Sequence, residues 1–138
     1  MRILAIDPGE KRIGVAISDP TSSIATPLTV LKHISRLLDA AAIADLATQH
    51  EAGLIVVGRA LDEQGLSTPA SRRADRLAQA IRQQCDIPVT MWDESFSTQD
   101  AQQARIAMNV PRRKRRGHLD ELAATVILQS YLDWNGDH

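Results

Sequence analysis

The sequence predicts an α/β fold: one mixed sheet, with three antiparallel strands followed by parallel strands, and helices packed on it. The first observation is an early strand pair, because Ile13, Val15 and Ile17 alternate with small residues behind another apolar strand. The second is the wholly apolar run Leu54–Val57, typical of a strand buried on both faces of a parallel sheet. The third is the order of the later elements, in which helical segments separate the strands.

Residues 2–7 and 12–18 are predicted to be adjacent strands, and the first of them ends in a carboxylate. Asp7 is followed by Pro8 and Gly9, which turn the chain without placing a bulky side chain over that carboxylate. A metal ion or a phosphate group can therefore come close to Asp7. The alternative is an ordinary β-hairpin in which Asp7 merely occupies the turn.

The middle of the chain continues with a short strand and two helices. The strand Leu28–Leu31 follows Pro27, and a helix is predicted over about residues 35–49. Its apolar stripe is Ile34, Leu38, Ala42 and Leu46. A second helix begins at Thr68 and Pro69, where the hydroxyl caps the helix and proline takes the first helical position. Its expected buried face is Ala70, Ala74, Leu77, Ala78 and Ile81.

The last third of the chain adds one strand and two helices. The strand covers residues 88–94 and ends in two carboxylates. Ser97 and Asp100 have the spacing of a capping box for a helix through about Met108. The final helix is predicted over residues 120–134. Its inward side chains are Ala123, Ala124, Ile127, Leu128 and Tyr131.

Length and composition predict a single domain over residues 1–138. Apolar residues make up 43% of the chain, but no apolar run approaches the roughly 20 residues that span a bilayer. No signal-like segment opens the chain, so no membrane partner is expected. The single cysteine, Cys85, excludes an internal disulfide and is typical of a protein of the reducing cytoplasm.

The net charge of −1 conceals an uneven distribution of cations. The longest basic run is Arg112, Arg113, Lys114, Arg115 and Arg116. Lys11 and Arg12 add two cations beside Asp7. These residues are candidates for contacts with nucleic-acid phosphates, and the alternative is a solvated loop.

Carboxylates end two of the predicted strands and begin the final helix. Asp7, Asp93, Glu94 and Asp120 can meet, because the carboxyl ends of parallel strands share one edge of a sheet. Neighbouring carboxylates repel each other unless a cation lies between them, and oxygen ligands suit Mg²⁺ or Mn²⁺. Such a site predicts metal-dependent hydrolysis of phosphodiester bonds.

Strand alternation leaves the choice between Asp93 and Glu94 open, because the two side chains point to opposite faces of the sheet. Asp120 also has a simpler explanation, since an Asp in the first turn stabilises a helix through its dipole.

Four ordered motifs of this chain resemble the YqgF family of RNase H-like bacterial nucleases. These motifs are residues 7–16, Val57-Gly58, residues 93–98 and residues 120–132, and the similarity extends over essentially the whole chain. The family is described both as pre-16S ribosomal RNA nucleases and as Holliday-junction resolvases. A strand meander followed by βαβ crossovers is also the element order of the RNase H-like fold.

The resemblance implies that Asp7, Glu94 and Asp120 are the catalytic and metal-binding acids, which favours Glu94 over Asp93. It implies an Mg²⁺- or Mn²⁺-dependent endonuclease that processes the 5′ end of pre-16S rRNA, or a resolvase of branched DNA. Monomer and homodimer both stay open.

The chain departs from the family pattern at two positions. Ser95 stands where the family usually has arginine, and Ala60 stands where a Gly-x-Pro turn has proline. Arg59 is a candidate replacement for the missing cation at position 95. The departures support a further alternative, a nucleic-acid-binding accessory factor with weak catalysis. A phosphotransferase of the actin-like kind is a second alternative, although those proteins need two lobes.

Overall fold

The computed structural model describes residues 1–94 and 119–136, except for the side chains of residues 119–121 and 136. Within these ranges it has five strands and three helices. In chain order they are β1 (Arg2–Pro8), β2 (Arg12–Ser18), β3 (Ala25–Lys32), α1 (Arg36–Gln49), β4 (Ala52–Arg59), α2 (Pro69–Gln84), β5 (Val89–Asp93) and α3 (Leu119–Gly136).

The strands form one mixed sheet in the order β3-β2-β1-β4-β5. β1 and β2, and likewise β2 and β3, are antiparallel, whereas β4 pairs in parallel with both β1 and β5. The predicted mixed sheet is therefore confirmed. The carboxyl ends of β1, β4 and β5 lie at one edge, which we call the carboxyl edge.

Side-chain alternation divides the apolar core between the two faces of the sheet. Leu4 and Ile6 of β1 point toward α1 and α2 and belong to the larger core. Ile3 and Ala5 point the other way, toward α3, and pack in a second core with Ile127 and other apolar residues. Each face of β1 is therefore covered. Odd-numbered side chains of β1 point toward α3, and even-numbered side chains point toward α1 and α2.

The predicted apolar stripe of α1 is wrong at its first two residues, whereas Leu46 packs against the larger core. Ile34 is 69% exposed and Leu38 is 57% exposed. The helix instead buries Asp39, Ala40, Ile43, Ala44 and Ala47. Alanine on the inner face lets α1 lie close to the sheet and to α2, and Asp39 is drawn inward by its hydrogen bonds near the start of the helix.

The start of α2 is as predicted. The Thr68 side chain accepts a hydrogen bond from the Ser71 backbone N–H at 3.0 Å, and Ser71 Oγ accepts from the Thr68 N–H at 2.8 Å. These reciprocal bonds satisfy two backbone donors that the first helical turn would leave unpaired. The helix ends at Gln84, and the C-cap residue that follows is Cys85, a free and partly buried thiol.

Two other predicted elements differ from the structure or lie outside it. β3 is longer than predicted and includes Pro27, which β3 accommodates because it is the outer strand of the described sheet and its pairing with β2 is irregular there. The helix predicted from Ser97 to Met108 lies outside the described residues.

Candidate active site at the carboxyl edge

Asp7 is held at the carboxyl edge by the last part of β1. It pairs with Gly14 of β2 and shares the sheet face of Ile3 and Ala5, the face that α3 covers. The turn that follows is tight, because the Gly9 N–H donates to the Arg12 carbonyl at 2.9 Å. A Cβ at Gly9 would lie 2.4 Å from that carbonyl oxygen, so this position requires glycine. The half-buried Asp7 side chain thus stands on a rigid support.

Glu94 follows the last residue of β5 and lies on the same face as Asp7. Trp92 packs in the core beneath α3, whereas Met91 packs in the core on the opposite face. Alternation along the strand therefore directs Asp93 away from α3 and Glu94 toward it. The structure supplies the orientation that strand alternation in the sequence left open.

The side chains of Asp7 and Glu94 meet through a hydrogen bond. Burial raises the pKa of the Glu94 carboxyl above its ordinary value, and the neighbouring Asp93 charge raises it further, while the bond with Asp7 acts in the opposite direction. A hydrogen bond between two carboxyl groups requires a proton on one of them. When both groups are ionised they repel each other, and a cation between them would neutralise that charge.

The first turn of α3 points toward the same edge. Ile127 of α3 packs over Gly58, near the carboxyl end of β4. Gln129, further along α3, bonds to Ala25, which pairs with Ser18 near the opposite edge of the sheet. The helix therefore runs away from the carboxyl edge, and Asp120, its second residue, lies at the end nearer Asp7. The Asp120 side chain lies outside the described part of the structure.

Carboxylate oxygens at this edge fit the ligand chemistry of Mg²⁺ and Mn²⁺. Two of the three predicted acids are in contact, and a cation beside them would relieve the repulsion between their ionised forms. Among the side chains that the structure describes, no group of three or more His, Cys, Asp or Glu forms a metal cluster. The described residues thus supply a pair of candidate ligands.

Of the basic residues predicted to contact nucleic acid, the structure describes two. Lys11 and Arg12 are exposed in the turn that follows Asp7. The basic run of residues 112–116 and the serine at position 95 lie outside the described residues.

Arg59 does not replace the cation missing at position 95. Its Nη1 lies 3.5 Å from Asp75 Oδ1 of α2, on the face opposite Glu94. Its Nε is buried and has no hydrogen-bond partner among the described residues. Since Arg59 continues the alternation of Val57 toward the α1 and α2 core, it points away from the acidic pair.

Sequence reasoning missed a polar cluster near the same edge, on the α1 and α2 face. His33 and the buried Asp39 form a hydrogen-bonded pair beside the start of α1. The sequence contained a signal for this pair, because Asp39 lies four residues after the capping residue Ser35, on the face of α1 that is buried. The prediction that Ile34 and Leu38 are buried placed the inner face of α1 on the wrong side of the helix.

No helix in the described ranges has the length and apolar character needed to cross a membrane.

The sequence is similar to those of known proteins over nearly its whole length. A protein from Thermoanaerobacter pseudethanolicus named "Putative pre-16S rRNA nuclease" is 38% identical over 134 residues, covering 96% of both chains. One of the same name from Syntrophus aciditrophicus is 41% identical over 133 residues, covering 96% of this chain and 89% of that protein.

Solved structures confirm the fold. The Thermus thermophilus RuvC structure in complex with a Holliday junction substrate has a TM-score of 0.64 at 14% identity, covering 99% of this chain and 96% of that one. The fowlpox virus Holliday junction resolvase has a TM-score of 0.56 at 18% identity, covering 97% of this chain and 99% of that one. The mixed sheet is thus RNase H-like, as expected.

A family model described as "RuvX: Holliday junction resolvase" matches residues 1–134. With this match and relatives at 38% and 41% identity, the chain belongs to the RuvX family of nucleases, the YqgF family that its motifs indicated.

Proposed function

We propose that this chain is a single-domain, divalent-metal-dependent endonuclease that acts in the cytoplasm on the 5′ end of precursor 16S ribosomal RNA. The observation that carries the proposal is the hydrogen-bonded pair of Asp7 and Glu94 at the carboxyl edge of the sheet. The names of the relatives from Thermoanaerobacter and Syntrophus support the choice of substrate.

In this proposal Asp7, Glu94 and Asp120 hold Mg²⁺ or Mn²⁺. A bound divalent ion readies water for attack and neutralises charge on the departing oxygen. In the overall reaction, the water oxygen bonds to phosphorus, one phosphorus–oxygen bond breaks, and the departing oxygen takes up a proton. The protein contributes the rigid placement of Asp7 on β1 and the partial burial of Glu94, which strengthens its electrostatic interactions.

Lys11 and Arg12 occupy the turn beside Asp7 and are proposed to contact the substrate backbone there. Arg112, Arg113, Lys114, Arg115 and Arg116 are proposed to extend this contact. Backbone contacts carry little information about base identity, so selection of a site would come from the shape of the nucleic acid.

Cleavage of branched DNA is a second candidate, favoured by the description of the family as Holliday junction resolvases. A nucleic-acid-binding accessory role is the remaining alternative, suggested by Ser95 in the place of the family's arginine.

The test incubates the protein with a precursor-rRNA 5′ leader and with a four-way DNA junction, each in Mg²⁺, Mn²⁺ or EDTA. We expect cleavage of the leader that requires metal. Asp7→Asn and Glu94→Gln should each lower the rate by at least about a hundredfold, because a metal ion contributes several kcal/mol to catalysis.

Asp93→Asn is the matched control, because Asp93 is adjacent to Glu94 but points to the other face of the sheet. We expect it to keep cleavage. Cleavage of the junction alone would favour the resolvase, and cleavage of neither substrate would favour the accessory role. Activity that survives Glu94→Gln but not Asp93→Asn would overturn the proposed assignment of the acids.

A further inference from the structure

A cavity of about 330 Å³ opens on the α1 and α2 face of the sheet, directly behind the turn that follows Asp7. We call it the α1 cleft. Pro8 and Gly9 form part of its wall, and Ile13 and Leu77 give it an apolar floor. Its volume lies in the range of pockets that take small molecules, about 300–1,000 Å³. The cleft is therefore large enough for a nucleotide unit of a strand that crosses Asp7.

A histidine is fixed in the wall of the α1 cleft by a buried carboxylate. Asp39 is 5% exposed and accepts a hydrogen bond from the Ile34 N–H at 3.0 Å. Its other oxygen is hydrogen-bonded to His33 Nδ1. Since a carboxylate accepts, we assign the proton to Nδ1, which leaves Nε2 as the ring nitrogen that does not face Asp39. A polar nitrogen is thus held in a defined orientation at the cavity.

Two arginines approach the same cavity from different helices. Arg36 is the first residue of α1, directly after the capping residue Ser35, and Arg73 reaches the cavity from α2. The amino-terminal end of α1 carries a partial positive charge that adds to theirs. Guanidinium groups and helix amino termini both suit phosphate oxygens, which accept several hydrogen bonds at once.

Glu10 forms an ion pair with one of these cations, Arg73. Its Oε1 lies 3.4 Å from Arg73 Nη2, and the Glu10 side chain is 80% exposed. Exposed ion pairs of this kind are weak, so an entering anion displaces Glu10 at little cost.

We propose that the α1 cleft binds a phosphodiester group of the nucleic-acid substrate on the α1 and α2 face, where the strand continues around the Pro8 and Gly9 turn from the group that is hydrolysed at Asp7. This inference rests on the proposed nuclease function and deepens it, because it assigns a second phosphate contact behind the acidic pair. The two arginines and the start of α1 hold the phosphate, the floor of Ile13 and Leu77 contacts the sugar, and the fixed His33 lies beside them in the wall. A free phosphate or mononucleotide is the other source of the same chemistry.

The test measures binding of a fluorescein-labelled precursor-rRNA leader by fluorescence anisotropy in EDTA, where metal-dependent cleavage does not occur. Arg73→Gln should weaken binding about 3- to 10-fold. It should also reduce the slope of the logarithm of the binding constant against the logarithm of salt concentration by about one. Arg76→Gln is the matched control, because it removes the same charge from an exposed position of α2 that does not line the cleft. It should stay within about twofold of the wild type.

Glu10→Gln separates binding from a structural role. If Arg73 contacts phosphate, removing its competitor should tighten binding about 2- to 5-fold, whereas loss of a merely structural ion pair would not. Thermal melts of all variants check that they fold. Binding of Arg73→Gln equal to that of the wild type, or weaker binding by Glu10→Gln, would overturn the proposal.

A titration with inorganic phosphate, followed by NMR of the His33 ring, distinguishes the sources. Saturation at low phosphate concentration, with RNA binding unchanged in Arg73→Gln, would indicate a free-phosphate site and contradict the proposal. Failure of the wild type to bind the leader would also overturn it. Absence of metal-dependent cleavage, together with the expected Arg73 and Glu10 effects, would remove the nuclease proposal and leave the phosphate contact standing.

Discussion

The carboxyl groups of Asp7 and Glu94 share a hydrogen bond across the width of β4, the strand that lies between β1 and β5. The two residues are far apart in the sequence. Alternation along β1 and β5 places both side chains on the face of the sheet that α3 covers. Two partly buried acids in contact favour either a proton or a cation between them.

Glu94→Gln should stabilise the metal-free protein while it removes activity. Since the pKa of Glu94 is raised, the folded protein binds this proton more tightly than the unfolded chain. The free energy of unfolding of the wild type therefore falls as pH rises from the ordinary value of 4.5 through the raised one. In EDTA, the Tm of Glu94→Gln should exceed that of the wild type by a margin that is small at pH 4 and larger at pH 7.5.

Metal should reverse this order. At a concentration ten times Kd, Mg²⁺ or Mn²⁺ should stabilise the wild type by about 1.4 kcal/mol, or roughly 5 °C in Tm, and should not stabilise Glu94→Gln. Glu63→Gln, which changes an exposed glutamate, is the control and should follow the wild type. Equal metal-induced shifts in wild type and Glu94→Gln would contradict the proposed ligand.

Gly58→Ala should weaken the docking of α3. A Cβ at Gly58 would lie 2.5 Å from Ile127 Cδ1 and 3.3 Å from two more atoms of that buried side chain. Overpacking of this kind costs about 1–3 kcal/mol, which denaturant unfolding measures directly.

Gly53→Ala is the matched control for this change. Its Cβ would also approach at 2.5 Å, but to the sulfur of Met1, which lies at the end of a flexible and exposed side chain. We expect a smaller loss of stability there. If both variants lost the same stability, the cost at Gly58 would not come from contact with Ile127.

Gln129→Leu should destabilise the fold although it keeps nearly the same volume. Gln129 is buried, and its Oε1 accepts from the Ala25 N–H at 3.0 Å while its Nε2 donates to the Ser23 carbonyl at 3.2 Å. Leucine would leave these groups without those partners, at about 1–3 kcal/mol for a buried group. Chemical denaturation with Gln83→Leu, at an exposed position of α2, as the control measures the difference. A loss of less than about 0.5 kcal/mol would show that water replaces both bonds.

The mixed sheet and the element order could be predicted from sequence because both are written in local patterns. Alternation of Ile13, Val15 and Ile17 specifies a strand with two different faces, and Thr68 and Pro69 specify where α2 begins. The stripe of α1 could not be predicted in this way. Apolar spacing alone does not show that small alanines pack closest to the sheet, or that Asp39 turns inward to bond with the Ile34 N–H and His33.

By itself, the sequence determined that acids end β1 and follow β5, since a carboxylate after an apolar strand is visible in the order of residues. Only the tertiary structure decided that Glu94, and not Asp93, faces Asp7. The physical reason is that alternation along a strand shows only which side chains share a face. Which face is which depends on packing, and here Trp92, which packs beneath α3, shows that Glu94 is on the α3 face. On the other face, the packing of α1 and α2 on the sheet placed Arg59 beside Asp75 and formed the α1 cleft, neither of which is encoded in any local pattern.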